Sequence, residues 1–191
     1  MDAQTIMELR RATGVGVLDA KKALEETRGD LEAAKDLLRK QGQTKAAKKA
    51  GRATAEGLVG SYLHATGKLG VLVAVACETD FVARSDDFKV LVQDLAMHIA
   101  AADPTYVKSD DVPAEVIAKE REIAAAQAQG KPVDVVEKIV SGKIAKYYAE
   151  HCLLNQPFVK DDSMTVQGRI EQAIAKLGEN IQVREFCRFA L

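Results

Sequence analysis

The chain has 191 residues, with 27 basic and 28 acidic side chains, a formal net charge of −1 and 47% hydrophobic residues. Its apolar content suffices for one or two small folded domains, and its balanced charge excludes a surface that coats nucleic acid or anionic membrane throughout. No apolar run is long enough to span a bilayer, MDAQTIMELRRATG lacks a signal-peptide core, and Cys77, Cys152 and Cys187 are too widely spaced for a disulfide scaffold, so a cytoplasmic protein with no membrane partner is expected.

Residues 1–40 are predicted as three short helices. Ile6, Leu9 and Arg10 share a helical face before the breaker Thr13-Gly14-Val15-Gly16. A second helix from about Leu18 or Asp19 carries Ala20, Ala23 and Leu24 on its apolar stripe. Arg28-Gly29-Asp30 closes it and caps a third helix bearing Leu31, Ala34, Leu37 and Leu38, because aspartate accepts hydrogen bonds from the free first-turn amides. Composition shifts from Lys40 onward, and residues 41–56 read as a basic linker, partly helical, whose ends are set by Gly42 and Gly51. Lys45, Lys48, Lys49 and Arg52 there fit either an RNA-binding stripe or a solvated connector facing an acidic partner. Without interleaved aromatics for base stacking, the connector is the better fit and no direct nucleic-acid contact is expected.

Residues 57–191 read as a third unit. Gly57–His64 and Leu69–Cys77 form a hairpin around a glycine turn, followed by a loop over Glu78–Asp86. A helix over Asp87–Ala102 shows helical spacing at Phe88, Leu91, Leu95, Met97 and Ile99 and stops before Pro104. Further helices follow from Pro113 to about Ala128 and from Val133 to about His151, with Cys152–Phe158 ambiguous. Asp162 or Ser163 precedes a helix over Val166–Leu177, Gly178 stops it, and Ile181–Phe189 alternates as a half-buried strand. The fold class is therefore α+β: a three-helix module, a linker, and a roughly three-stranded antiparallel sheet packed with helices.

Residues able to carry out chemistry are sparse. The three histidines, His64, His98 and His151, form no HxxH or HxxxH pair, no CxxC is present, and neither GxxxxGK[ST] nor GxGxxG follows a strand. No metal, cofactor or enzymatic activity is expected. Glu78 and Asp80 disfavour a thiolate at Cys77. The segment Cys77-Glu-Thr-Asp-Phe-Val-Ala-Arg84 does stand out. Either Asp80 caps the following helix and Phe81 folds back on it as a hydrophobic staple, or Phe81 is an aromatic wedge offered to a partner; residue types leave both open.

The same segment, TDFVAR after a GVLV-type strand, resembles the signature loop of the elongation factor Ts family. LRRATGVGVLDAKKALEETRGDLEAAKDLLRK is similar to that family's first domain, a three-helix module of the ubiquitin-associated type with the pattern LRxxTGxGxxDxKxAL. KAAKKAGRATAEG, AMHIAA at Ala96–Ala101, QPFVKDD at Gln156–Asp162 and LGENIQVR at Leu177–Arg184 extend the resemblance over essentially the whole chain. It implies a guanine nucleotide exchange factor for elongation factor Tu. Thr79, Asp80, Phe81 and Val82 would form a loop that intrudes near the partner's magnesium site, and Leu9, Val17 and Leu18 would make apolar contacts with its nucleotide-binding domain. Val17 and Leu18 stand where some relatives carry methionine. His98 would touch another domain of the partner. Longer members duplicate the sheet-containing core, whereas this chain has room for one; a homodimer built through the sheet or its edge is implied, with Cys187 near its axis. Two other readings compete: an adaptor whose N-terminal module binds a ubiquitin-like surface, and an RNA-binding accessory protein acting through residues 45–52.

Overall fold

Among residues 2–191, which the computed structural model describes, the chain opens with α1 (Ala3–Thr13), α2 (Val17–Glu26) and α3 (Leu31–Ala47). The hairpin β1 (Glu56–Leu63) and β2 (Leu69–Cys77) follows, then the single-turn helix α4 (Asp80–Arg84) and the long α5 (Asp86–Ala102). Next come α6 (Ala114–Gln127), α7 (Val133–His151), the short hairpin β3 (Pro157–Phe158) and β4 (Asp161–Thr165), α8 (Val166–Leu177) and β5 (Ile181–Ala190).

Two separate apolar clusters hold these elements. Leu9, Ala20, Ala23, Leu24, Ala34 and Leu38 close the first between α1, α2 and the front of α3. Asp30 caps α3 as expected, its carboxylate accepting the Ala33 N–H at 3.0 Å. The helix does not stop at Lys40, however, but runs 17 residues through Gly42. Gly42 is buried against α8, where an added Cβ would lie 3.8 Å from the Cβ of Ala175, and Ala46 one turn later joins the main core. Packing on α8 thus extends a helix that composition alone would end. The basic residues beyond it are largely used within the chain: Lys45 pairs with Asp19 at 3.4 Å, Lys49 donates to the Gly178 carbonyl, and Arg52 lies 3.5 Å from Glu78.

The main sheet is antiparallel with order β1-β2-β5, so β2 is central. Alternation along β2 buries Val71, Val73 and Val75 against α5, whose Phe88, Leu91, Leu95 and Ile99 fill the core with Ile170 and Ile174 of α8. Gly60 of β1 lies directly beneath Val92 of α5. The pairing slips between Ala74 and Val75, leaving Arg184 of β5 as a bulged residue. Its guanidinium reaches Thr54, donating to the carbonyl at 3.0 Å and the hydroxyl at 2.6 Å. The other face of the sheet is uncovered and carries Val59, Leu63, Leu72 and Phe189.

The ambiguous stretch Cys152–Phe158 divides into a turn of 3-10 helix and strand β3, and Asp162 and Ser163, which precede α8 as expected, lie in strand β4 (Asp161–Thr165), whose last residue Thr165 is the N-cap of α8. The β3–β4 hairpin is secured by Lys160, whose ammonium lies 2.6 Å from the buried Asp94 of α5; Arg169 of α8 meets the same carboxylate at 3.2 Å. The helical hairpin α6–α7 buries only Ala124, Ala128 and Ile144 among its helices and connecting turn, so most of its surface lies outside the core.

Candidate functional site

A five-residue helix cannot sustain itself, because nucleation fixes several dihedrals for each hydrogen bond gained. Side chains therefore hold α4 at both ends. Thr79, not Asp80, is its N-cap: the Thr79 hydroxyl accepts the Val82 N–H at 3.4 Å. At the other end the Ser85 hydroxyl donates to the Val82 carbonyl at 2.7 Å and accepts the Phe88 N–H at 3.3 Å, ending α4 and starting α5 with one group. Asp80 instead pairs with Arg84 at 3.1 Å on the surface, an exposed pair worth about 0.3–0.5 kcal/mol. Ala83 is buried and Val82 packs on the main core, which turns Phe81 outward, the residue 84% exposed. The staple reading is thereby overturned, since a staple residue packs against its helix. An apolar ring left in water forgoes about 1.5–3 kcal/mol of burial free energy.

The junction between β2 and α4 is gripped from the far end of the chain. Gly178 adopts the left-handed conformation that ends α8, at φ 80°, and delivers Glu179 and Asn180 to the loop. One carboxylate oxygen of Glu179 accepts the N–H groups of Glu78 (3.1 Å) and Thr79 (3.0 Å), while the other accepts the Thr79 hydroxyl at 2.6 Å. Glu78 reciprocates, accepting the Asn180 N–H at 2.6 Å. Asn180 is buried, and its amide donates to the carbonyls of Arg52 at 2.8 Å and Ala50 at 3.3 Å. Each carboxylate thus accepts backbone N–H groups of the opposite segment, joining loop, α8–β5 turn and linker. Cys77 beside them is buried, its thiol donating to the Thr79 carbonyl at 3.2 Å. Burial, then the nearby charge of Glu179, push that thiol's pKa up, away from a nucleophilic thiolate.

Val17 and Leu18 open α2 and stand in solvent, 48% and 74% exposed. Leu9 does not: it is fully buried at the centre of the three-helix cluster, where no partner reaches its side chain. His98 is also fully buried. Its Nδ1 accepts the Val159 N–H at 3.2 Å, which leaves Nε2 as the protonated nitrogen donating to the Gln156 side-chain oxygen at 2.9 Å. The Gln156 amide then donates to the carbonyls of Glu150 at 2.9 Å and Ala102 at 3.3 Å. Burial lowers the His98 pKa, keeping the ring neutral. Among the described residues, no group of three His, Cys, Asp or Glu side chains is placed to hold a metal ion.

The family model described as "Elongation factor TS" matches residues 18–191. The chain belongs to the elongation factor Ts family. An elongation factor Ts from Geobacter sulfurreducens is 57% identical over 191 residues, covering 99% of this chain and 88% of that protein. One from Carboxydothermus hydrogenoformans is 54% identical with the same coverage. Family membership makes the chain a translation elongation factor. Within an elongation factor Ts framework, the candidate surface residues are Phe81, Val17 and Leu18, whereas Leu9 and His98 lie inside. Nothing in the sequence alone singles out Glu179: LGENIQVR is distinctive as a motif, but the role of its glutamate emerges only when a loop 100 residues away is brought beside it.

Proposed function

We propose that this protein accelerates release of guanine nucleotide from elongation factor Tu, with Thr79–Val82 as the element that disturbs the partner's nucleotide site. The observation that carries this reading is Phe81, a large apolar ring presented in solvent on a turn fixed at both ends. Entering the partner beside its magnesium site, the ring displaces the groups that hold the ion. Loss of magnesium removes the charge that neutralises the phosphates, and the nucleotide leaves faster. Linkage requires that nucleotide weaken the factor's binding by the same ratio as the factor weakens nucleotide binding. Inverting a population from about 1:99 to 99:1 takes roughly 5.5 kcal/mol, and burying one phenyl ring supplies about 1.5–3 kcal/mol. Phe81 therefore shares the task with Val17 and Leu18 of the three-helix module, whose last helix runs to Ala47 along α8 before residues 48–55 lead into the sheet core. Leu9 and His98 contribute from inside, the first as module core and the second by fixing the segment around Gln156 and Val159.

Stopped-flow release of a fluorescent GDP analogue from elongation factor Tu tests this directly. Wild type is expected to accelerate release, and Phe81→Ala to lose about ten- to a hundredfold of that acceleration. An undiminished effect in the variant would remove the wedge from the mechanism. No acceleration by folded wild type would overturn the exchange assignment in favour of an adaptor.

The uncovered sheet face supports a second copy of this chain as a further partner. Val59, Leu63, Leu72 and Phe189 are 70%, 73%, 47% and 70% exposed on it, with Leu72 and Cys187 paired at its middle. A twofold dimer would bury this apolar face against its own copy, with the axis running near Cys187. Leu72→Glu should convert a dimer to a monomer in analytical ultracentrifugation with the circular dichroism unchanged; a monomeric wild type refutes the dimer.

A further inference from the structure

We infer that Glu179 is a positioning residue for the Phe81 wedge: from the α8–β5 turn, its carboxylate fixes the Thr79 cap and so the direction in which the ring is presented. The inference rests on the exchange reading of the loop.

The Thr79 hydroxyl has one hydrogen and two lone pairs. Its hydrogen goes to Glu179 at 2.6 Å, which orients a lone pair toward the Val82 N–H. The carboxylate thus selects the hydroxyl orientation that caps α4. Its other oxygen holds two successive backbone amides by charge-assisted bonds, so the direction of the chain entering α4 is set as well. Packing cannot replace this control at Phe81 itself, because the ring is almost wholly in solvent. Glu179 is in turn well placed to impose a direction, since it sits between the end of α8 and Asn180, whose buried side chain is bonded to the linker carbonyls. A wedge already held in its working orientation loses less freedom on entering a partner, and that is how a residue remote from the interface affects exchange.

The chain contains no tryptophan, so Phe81→Trp introduces a single indole at the position of interest, excited selectively at the red edge where the four tyrosines do not absorb. Its time-resolved anisotropy can be read in the isolated protein, with Glu179→Ala and the near-isosteric Glu179→Gln added separately and folding checked by circular dichroism. Glu179→Ala is expected to raise the amplitude of the fast component about twofold, with Glu179→Gln intermediate. In exchange assays with phenylalanine retained, Glu179→Ala should reduce acceleration by about tenfold or more, and should add little in a Phe81→Ala background because both act through one ring. An unchanged fast component in both folded variants overturns the inference, as does an exchange loss that adds fully to that of Phe81→Ala. If wild type fails to accelerate release while the anisotropy still shifts, the positioning role stands and the exchange reading falls.

Discussion

Gly60 and Val92 offer a direct test of how the sheet and α5 are fitted. A Cβ added at Gly60 would lie 2.2 Å from Cγ1 of Val92, with the Val73 Cγ1 at 3.6 Å. Carbon atoms rest about 3.5–4.0 Å apart, so the collision is deeper than an ångström. Val92 has little room to yield, being buried and β-branched in a helix with one strongly preferred rotamer. Overpacking of this kind costs about 1–3 kcal/mol, from which the lower backbone entropy of alanine in a strand recovers about 0.5–1 kcal/mol. Val92→Ala alone removes two buried carbons, at about 0.8 kcal/mol each before any cavity cost. In the double variant the new methyl occupies space that valine vacated, so its destabilisation should fall short of the sum by about 1–2 kcal/mol. Gly57→Ala gives the contrast: its Cβ would meet the Val75 carbonyl oxygen at 2.2 Å and the Ala76 Cα at 2.8 Å, backbone atoms that no side-chain trimming removes. Urea unfolding followed by circular dichroism, with slopes compared as well as midpoints, measures each step. A Gly60→Ala/Val92→Ala pair additive within about 0.5 kcal/mol would refute the fitted contact.

The buried His98 makes stability depend on pH. Its folded pKa lies below the ordinary value of 6.5, so the unfolded chain takes up the proton first: the contribution is fully present above about pH 6.5 and is lost as the pH falls toward the folded value. Unfolding free energies from urea titration should decline below about pH 6.5 by no more than about 1.4 kcal/mol per pH unit from this group, and His98→Gln should flatten that part of the profile. Leu9→Ala should cost about 2–5 kcal/mol of module stability, whereas Leu18→Ala should stay within about 0.5 kcal/mol and weaken partner binding instead; equal thermal losses for the two would refute the division between core and surface. Gly42→Ala should raise the melting temperature through about 0.8–1.0 kcal/mol of helix propensity, because its methyl meets Ala175 at ordinary contact distance.

Legibility in the sequence followed the range of the interaction involved. The 3.6 spacing of Phe88, Leu91, Leu95 and Ile99 and the alternation of Val71, Val73 and Val75 report burial directly, so α5 and β2 were readable within a residue or so. The Asp30 cap was readable because its partner is three residues away. β4 was not, since Asp-Asp-Ser-Met-Thr has no apolar period and is strand by virtue of pairing with β3. Nor was the path of α3 through Gly42, which depends on a helix that begins at Val166. At the candidate site, residue types marked Phe81 as unusual yet could not separate staple from wedge, because exposure of the ring depends on Val82 and Ala83 packing inward. Leu9 fitted a contact residue as well as a core residue for the same reason: a leucine on a helical stripe does not announce what covers it.

The placement of β5 also fixes an order of events during synthesis. β2 finds β1 across a tight turn, but its other edge waits for Ile181–Ala190, and Thr79 waits for Glu179, 100 residues later. At about 5–20 residues per second that interval is roughly 5–20 s, during which a valine-rich strand edge stays open to wrong partners. The three-helix cluster draws all its residues from the first 38 and faces no such wait. A nascent chain therefore completes its apolar N-terminal surface well before Phe81 is held in place.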